Sequence, residues 1–190
     1  TVGDVAGLAA ALALRGVPVV QVPTTLLAAA DSALGGKTAV NLAAGKNLAG
    51  TFHHPRLVCA DTRLLASLPE RDFRSGLAEV VKCALLSAGF WRRLPRLEEG
   101  LGAREGSAVA EAVGRSLLLK ASVVSRDPDE RRGLRHVLNL GHTVAHALEA
   151  ASGFRLRHGE AVAWGLLAAL RLSAARGGLR ARSAEAAGAR

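Results

Sequence analysis

The sequence predicts an α/β segment followed by an all-α segment, with the change near residue 67. Three observations predict it. Two short apolar runs, "VPVVQV" (17–22) and "RLVCAD" (56–61), have the length and branched content of buried strands, and Pro23 closes the first. Beyond "SLPERD" the apolar residues recur at helical spacing almost to the end of the chain. The 190 residues are 49% hydrophobic and only 3% aromatic, so a core built from Ala, Leu and Val fits helices best.

Taken in order, residues 4–14 read as a short helix and 17–22 as the first strand. Thr24 or Thr25 can cap a helix in "TTLLAAADSAL" (24–34). The glycine-broken segment 35–50 reads as loops with a short strand, and 56–61 as the second strand. Helices are expected over 70–87, 90–98, 107–126, 130–151 and 159–176, and the tail "GGLRARSAEAAGAR" reads as frayed. This gives two units, 1–67 and 68–190. Thr1 starts in mid-pattern and the chain has no methionine, so a piece of a longer protein is expected.

Composition removes several function classes. The formal charge is +9, yet no basic cluster is interleaved with aromatics and no nucleic-acid-binding motif occurs, so small anions are the expected partners and nucleic acid is not. No apolar run is long and charge-free enough to span a bilayer, and no secretory signal is visible, so no membrane partner is expected. Cys59 and Cys83 fit no ligand spacing and read as small buried hydrophobes in a reducing cytoplasm.

Lysine usage points to the chemistry. Of 25 cationic side chains only four are lysine, at 37, 46, 82 and 120, and three sit in "GGKTAVN", "GKN" and "AEVVK". Lysine is a compact point charge whose pKa burial can tune, which arginine cannot match. A second signal is "GLRHVLNLGHTVAHALEA" (133–150). On one continuous helix Arg135, Asn139, His142, His146 and Glu149 would share a narrow stripe beside an apolar face of Leu134, Val137, Leu138, Val144, Ala145 and Leu148.

Two familiar motifs fail. A phosphate loop ending in "GKT" needs glycine where Asp31 stands, and a zinc-peptidase helix needs glutamate where Thr143 stands. A metal site of another kind remains. His142 and His158 lie on successive helical elements joined by the short "AASGFRLRHGE", and a catalytic zinc commonly takes three protein ligands. The third candidates are Glu79, Glu149 and Glu160; Glu79 sits in the apolar run "SGLAEVVKCALL", one turn from Lys82.

With these residues in place the chain resembles the 3-dehydroquinate synthases, the zinc- and NAD-dependent sugar-phosphate cyclases of the shikimate pathway. The resemblance runs from Gly3 to about residue 175 and rests on "GDVAG", "LRGVPVVQVPTTLLAAADSALGGKTAVN", "GKNLAGTFHHP", "DTRLLASLPERDFRSGLAEVVK", "DERRGLRHVLNLGHTVAH" and "RHGEAVAWG" in order. It implies part of a Rossmann-like NAD-binding unit followed by a helical metal- and substrate-binding unit. It implies Glu79, His142 and His158 as ligands of Zn2+ (or Co2+). It implies substrate contacts or catalytic roles for Asp31, Lys37, Asn47, Lys82, Lys120, Arg135, Asn139 and His146. Arg15 would reach the substrate phosphate across a homodimer, and Asp4, Thr24, Thr25, Lys46 and Thr62 would line the NAD site. The implied reaction turns 3-deoxy-D-arabino-heptulosonate 7-phosphate into 3-dehydroquinate and phosphate, in the cytoplasm. It proceeds by transient oxidation with NAD, phosphate elimination, re-reduction and intramolecular aldol closure.

Departures from the family pattern are Ala145, where glycine is usual, and the pair Cys83–Ala84 after "EVVK". The chain also begins after the family's glycine triplet and stops before a further substrate lysine, so it is expected to be inactive or nearly so alone. Readings from other classes are a 2-deoxy-scyllo-inosose or 2-epi-5-epi-valiolone synthase, a metal-dependent alcohol or glycerol dehydrogenase, and a non-catalytic helical fragment.

Overall fold

A computed structural model describes residues 2–42 and 45–189, and the side chain of Lys46 lies outside what it describes, as therefore does the cofactor-site expectation for Lys46. Helix α1 (Val2–Leu12) leads through a 3-10 turn to strand β1 (Val20–Gln21). A hairpin follows, β2 (Lys37–Leu42) with β3 (Gly45–Phe52), and then β4 (Leu57–Val58). The helices after them are α2 (Glu70–Leu85), α3 (Ala88–Arg93), α4 (Glu98–Gly102), α5 (Gly106–Val124), α6 (His142–Ala151), α7 (His158–Ala175) and α8 (Ala181–Gly188).

The strands pair in two ways. β1 and β4 run parallel, Val20 opposite Leu57 and Gln21 opposite Val58, while β2 and β3 run antiparallel from Lys37 opposite Phe52. Both apolar runs therefore supply strands, but only two residues of each enter the ladder. They are also not buried: Val20, Val22 and Leu57 are each more than half exposed, because nothing among the described residues covers that face. Cys59, beside β4, is exposed for the same reason, against expectation, whereas Cys83 is buried.

The segment 35–50 reads as loops with a short strand, yet most of it is the two-stranded β2–β3 hairpin. Thr38 explains part of the difference, since its buried hydroxyl donates to the Thr51 carbonyl across the pair at 2.8 Å. The expected helix 24–34 is shorter and distorted. Leu26 and Leu27 are α-helical and Ala28–Ser32 form a π turn, with the Thr25 hydroxyl accepting from Ala28 N at the start. The tail is helical instead of frayed, and Ala184 and Ala187 of α8 are buried.

Among the described residues the helical part has three apolar centres: a small one of Val123, Val124 and Leu138, and two on opposite faces of α2. Phe73, Val80 and Cys83 join Leu26, Leu65, Phe90, Val109 and Ala112 in the larger one. Ala78 meets Ala145, Ala161, Val162 and Leu166 of α6 and α7 in the smaller. Ala145 is fully buried there.

The largest correction concerns 130–151, expected as one helix. Leu134–Asn139 is a 3-10 turn, and α6 starts only at His142. Gly141 between them adopts φ 80°, a left-handed conformation that glycine enters without strain. The stripe is broken, so Arg135 and Asn139 do not share a helix with His142.

Glu160, a candidate ligand by sequence, instead joins α7 to α2. It accepts from Arg71 through both oxygens at 2.5 and 2.8 Å and from Arg157 N at 3.0 Å. The Arg71 contact, followed by the Arg157 amide, holds its carboxyl down at about 2, against an ordinary 4.5. A value lowered by folding contributes stability above the unfolded value, and that stability is lost as pH falls through the folded one. The melting midpoint is therefore expected to drop between about pH 4.5 and 2, and to drop less steeply in Glu160→Gln. Equal slopes in the two proteins would refute this role for the pair.

Candidate functional site

Helix α2 contributes the centre of the site. Glu79 and Lys82 are three residues apart, so both project from one face, and both are buried, at 0% and 1% exposure. Their side chains meet at 2.5 Å. Across from them the π turn presents Asp31, whose carboxylate contacts Lys82 at 3.4 Å and pairs with Lys120 of α5. The Lys120 ammonium also donates to the Asp31 carbonyl at 2.7 Å. A π turn widens the helix by one residue, which lets Asp31 offer its carbonyl and its carboxylate to the same ammonium.

These charges set each other's protonation. Burial alone would raise Asp31, but Lys120 and Lys82 outweigh it and hold the carboxyl well below the usual range. Burial alone would lower Lys82, but Asp31 and Glu79 outweigh that and keep the ammonium charged. The sequence expectation of a lysine tuned downward by burial is not met at Lys82. The reason is its two carboxylate neighbours.

On the other side of Glu79 the two histidines converge. His142 Nε2 lies 3.8 Å and His158 Nε2 3.3 Å from Glu79 Oε1. The three possible ligand atoms all lie within 4.8 Å of one another. Glu79 Oε2 is taken up by the Lys82 ammonium, whereas the buried Oε1 faces the two imidazoles, as a ligand atom would. His142 Nδ1 donates to the Leu140 carbonyl at 3.2 Å, which leaves the Nε2 lone pair for a ligand. Burial, ahead of the other influences, lowers the His142 value and favours the neutral, ligating form, whereas the Glu79 contact raises that of His158. One carboxylate and two imidazoles with an open side fit a zinc or cobalt ion.

The connection 152–157 turns the chain back as its length suggests. Ser152 Oγ and Phe154 N both donate to the Glu149 carbonyl, closing α6. Helix α7 then begins at His158, and Gly159 N donates to Ser75 Oγ of α2 at 3.0 Å. That bond places His158 beside Glu79.

The other expected site residues distribute as follows. His146 is exposed, but its ring centre is 5.5 Å from that of His142 and 6.4 Å from that of His158. Arg135 is buried, donates to the Pro128 carbonyl at 2.6 Å and lies over the Phe52 ring at 5.3 Å. Its Nε has no hydrogen-bond partner among the described residues. Lys37 pairs with Glu130 at 2.5 Å. Lys37, Asp4 and Asn47 line a cavity of about 560 Å³ that also reaches His158. Asp4, Thr24 and Thr25 line an adjoining cavity of about 430 Å³, which Lys37 borders too. Asn139 is exposed on its 3-10 turn. Two residues fall elsewhere: Thr62 lines a separate pocket with Arg63, Phe73 and Arg104, and Arg15 is exposed at the end of the first 3-10 turn with φ 67°.

Sequence reasoning did not single out Glu130, Phe52 or Ser75. Each acts across the fold on a site residue far away in the chain, and no local pattern marks such a partner.

A model described as "3-dehydroquinate synthase N-terminal" matches residues 1–75, and one described as "3-dehydroquinate synthase C-terminal" matches 76–189. A 3-dehydroquinate synthase of Xylella fastidiosa (strain 9a5c) is 51% identical over 179 residues, which cover 90% of this chain and 45% of that protein. One of Symbiobacterium thermophilum is 52% identical over 173 residues, covering 90% and 48%. The chain thus spans about half the length of these relatives. Among solved structures, a 2-deoxy-scyllo-inosose synthase complexed with carbaglucose-6-phosphate, NAD+ and Co2+ superposes with a TM-score of 0.84 at 34% identity, covering 97% of this chain and 50% of that one. A 2-epi-5-epi-valiolone synthase from Streptomyces hygroscopicus subsp. jinggangensis 5008, with NAD+ and Zn2+ bound, gives 0.79 at 34%, covering 92% and 49%.

Proposed function

The chain belongs to the 3-dehydroquinate synthase family, and we propose that the protein carrying it is a carbon–oxygen lyase that converts 3-deoxy-D-arabino-heptulosonate 7-phosphate into 3-dehydroquinate and phosphate. The observation that carries this reading is the convergence of Glu79, His142 and His158 next to the buried Lys82–Asp31–Lys120 cluster. A metal triad beside a set of fixed cations suits a substrate with hydroxyls to be oriented and two anionic groups to be held.

In this reading residues 1–67 serve the NAD side, through Asp4, Thr24, Thr25 and Lys46, and 68–190 the metal and substrate side. Thr62 keeps its assignment to the NAD site only if that site extends to its separate pocket. NAD would supply reversible hydride removal and the divalent ion Lewis acidity and alignment of the substrate hydroxyls. Glu79, His142 and His158 would hold the ion. Lys82 and Lys120 present ammonium groups to the substrate, with Asp31 fixing both. Arg135 offers a buried guanidinium to an anionic group, and its unpaired Nε is a donor left for that purpose. Lys37 and Asn47, on the hairpin, face the cavity that reaches His158, and Asn139 offers an amide to a hydroxyl. His146, exposed beside the triad, is placed to exchange a proton with solvent through its imidazole nitrogens. We assign the enzyme to the cytoplasm as a homodimer in which Arg15 of each subunit serves the other.

The test is phosphate release by the protein carrying this chain, supplied with NAD and Zn2+, from the heptulosonate, glucose 6-phosphate and sedoheptulose 7-phosphate. Turnover of the heptulosonate at least a hundredfold above the others, without net NADH, is expected. Preference for either other sugar phosphate would reassign the substrate, and steady NADH accumulation would point to a dehydrogenase.

A further inference from the structure

Glu149, a candidate ligand by sequence, has no place yet in the site. It is buried at 3% exposure in the last turn of α6, and its Oε1 lies 3.4 Å from Nδ1 of His158. The opposite ring nitrogen of that imidazole, Nε2, faces Glu79 at 3.3 Å. His158 is thus held between two carboxylates, one at each nitrogen. Glu149 is not among the residues whose ligand atoms converge; it sits behind the ring.

The two histidines of the triad are oriented by different means. His142 donates Nδ1–H to a backbone carbonyl, which is fixed by the chain itself. His158 has Glu149 for this purpose, and the Glu149 backbone is in turn anchored by Ser152 Oγ and Phe154 N at 2.9 and 2.8 Å. The anchor lies in the turn that carries the chain from α6 to α7, so one residue fixes both the turn and the ring beyond it.

We propose that Glu149 is a positioning residue of the metal centre. It accepts a hydrogen bond from His158 Nδ1–H, commits Nε2 to the metal, and increases the basicity of that nitrogen. This rests on the reading of Glu79, His142 and His158 as metal ligands. Loss of such a partner typically weakens metal binding by about 10- to 100-fold without removing a ligand.

The experiment is competition between the protein carrying this chain and a chromophoric chelator for Zn2+, in the parent and in Glu149→Gln, Glu149→Ala, His158→Ala and Glu79→Ala. Melting of each protein with and without zinc accompanies it. The parent is expected to bind one zinc. Glu149→Gln should weaken it by about tenfold and Glu149→Ala by up to about a hundredfold, both keeping one-to-one stoichiometry. In both, the zinc-induced rise in melting midpoint should shrink, and the d–d bands of the cobalt-loaded protein should shift. A residue that only supports the fold would lower the metal-free and zinc-loaded midpoints alike and leave the rise intact. That result, or parental affinity in the Gln variant, overturns the proposal. Equal zinc uptake by the parent and Glu79→Ala would instead overturn the ligand assignment, and the role of Glu149 with it.

Discussion

Glu79→Ala is expected to abolish zinc binding by this chain and to lower its stability by roughly 3 kcal/mol even without metal. The two effects have separate causes. Zinc loss follows from removing the one carboxylate among three convergent ligands, since two imidazoles on separate helices leave a divalent cation uncompensated. The stability loss follows from Lys82, which is 1% exposed and sits 2.5 Å from Glu79. Breaking a buried pair by deleting one partner costs roughly 3–5 kcal/mol, because the remaining charge stays desolvated. Asp31 still reaches Lys82 at 3.4 Å, which places the expectation at the lower end. Native mass spectrometry of zinc-exposed protein reads the first effect, with His142→Ala as a companion, and urea unfolding reads the second. One zinc in the parent and none in either variant is expected. Zinc retained by Glu79→Ala, or a helical parent that takes up none, would refute the assignment.

Why Glu79 could be nominated from sequence, and Glu149 and Glu160 not resolved, is a matter of range. Glu79 lies in an apolar run on one helix, where a glutamate must be paired, and helical spacing sets Lys82 beside it. Glu160 stays among the sequence candidates because only the tertiary approach of Arg71, 89 positions away, shows that its charge is already used. Glu149 was on the right element but faced the back of the ring, which depends on a turn of six residues that periodicity does not describe.

The broken helix at 134–142 teaches the same lesson. The apolar pattern is continuous through Leu140, and "LG" alone does not say that the chain kinks there. What imposes the kink is packing of Gly141 against α7, where a Cβ on Gly141 would meet Leu166 N at 2.8 Å. Arg135 and His142 therefore do not lie on one helical stripe, and each reaches the site from its own element. Only one short strand is legible in the hairpin, because glycines at 35, 36, 45 and 50 mask its alternation. The strands at 17–22 and 56–61 were found, but their burial depends on what covers them, which a local pattern cannot state.

The same close packing makes two glycines of α7 the most sensitive positions outside the charged cluster. A Cβ on Gly159 would stand 1.8 Å from the Ser75 carbonyl oxygen, and one on Gly165 would stand 2.0 Å from that of Gly141. Both obstacles are backbone atoms of another segment, so no rotamer change relieves them. Gly→Ala in a helix interior ordinarily stabilises by about 1 kcal/mol, and here that gain is overwhelmed. Gly165→Ala is expected to destabilise by about 3 kcal/mol, the upper end of ordinary overpacking, because α7 must move bodily from the segment that starts α6. Gly159→Ala should cost at least as much and should also lower zinc affinity, since the displaced residue is the neighbour of His158 and loses its bond to Ser75 Oγ. Gly114, in the middle of α5 with nothing within 4 Å of its would-be Cβ, is the internal control, and alanine there should stabilise by about 1 kcal/mol. Urea unfolding of the three variants separates the outcomes. If Gly165→Ala proves as stable as the parent, α7 does not lie against Gly141 as closely as described, and the placement of His158 beside Glu79 loses its mechanical support. If Gly159→Ala is destabilised while zinc affinity is unchanged, the bond from Gly159 to Ser75 supports the fold without setting the metal site.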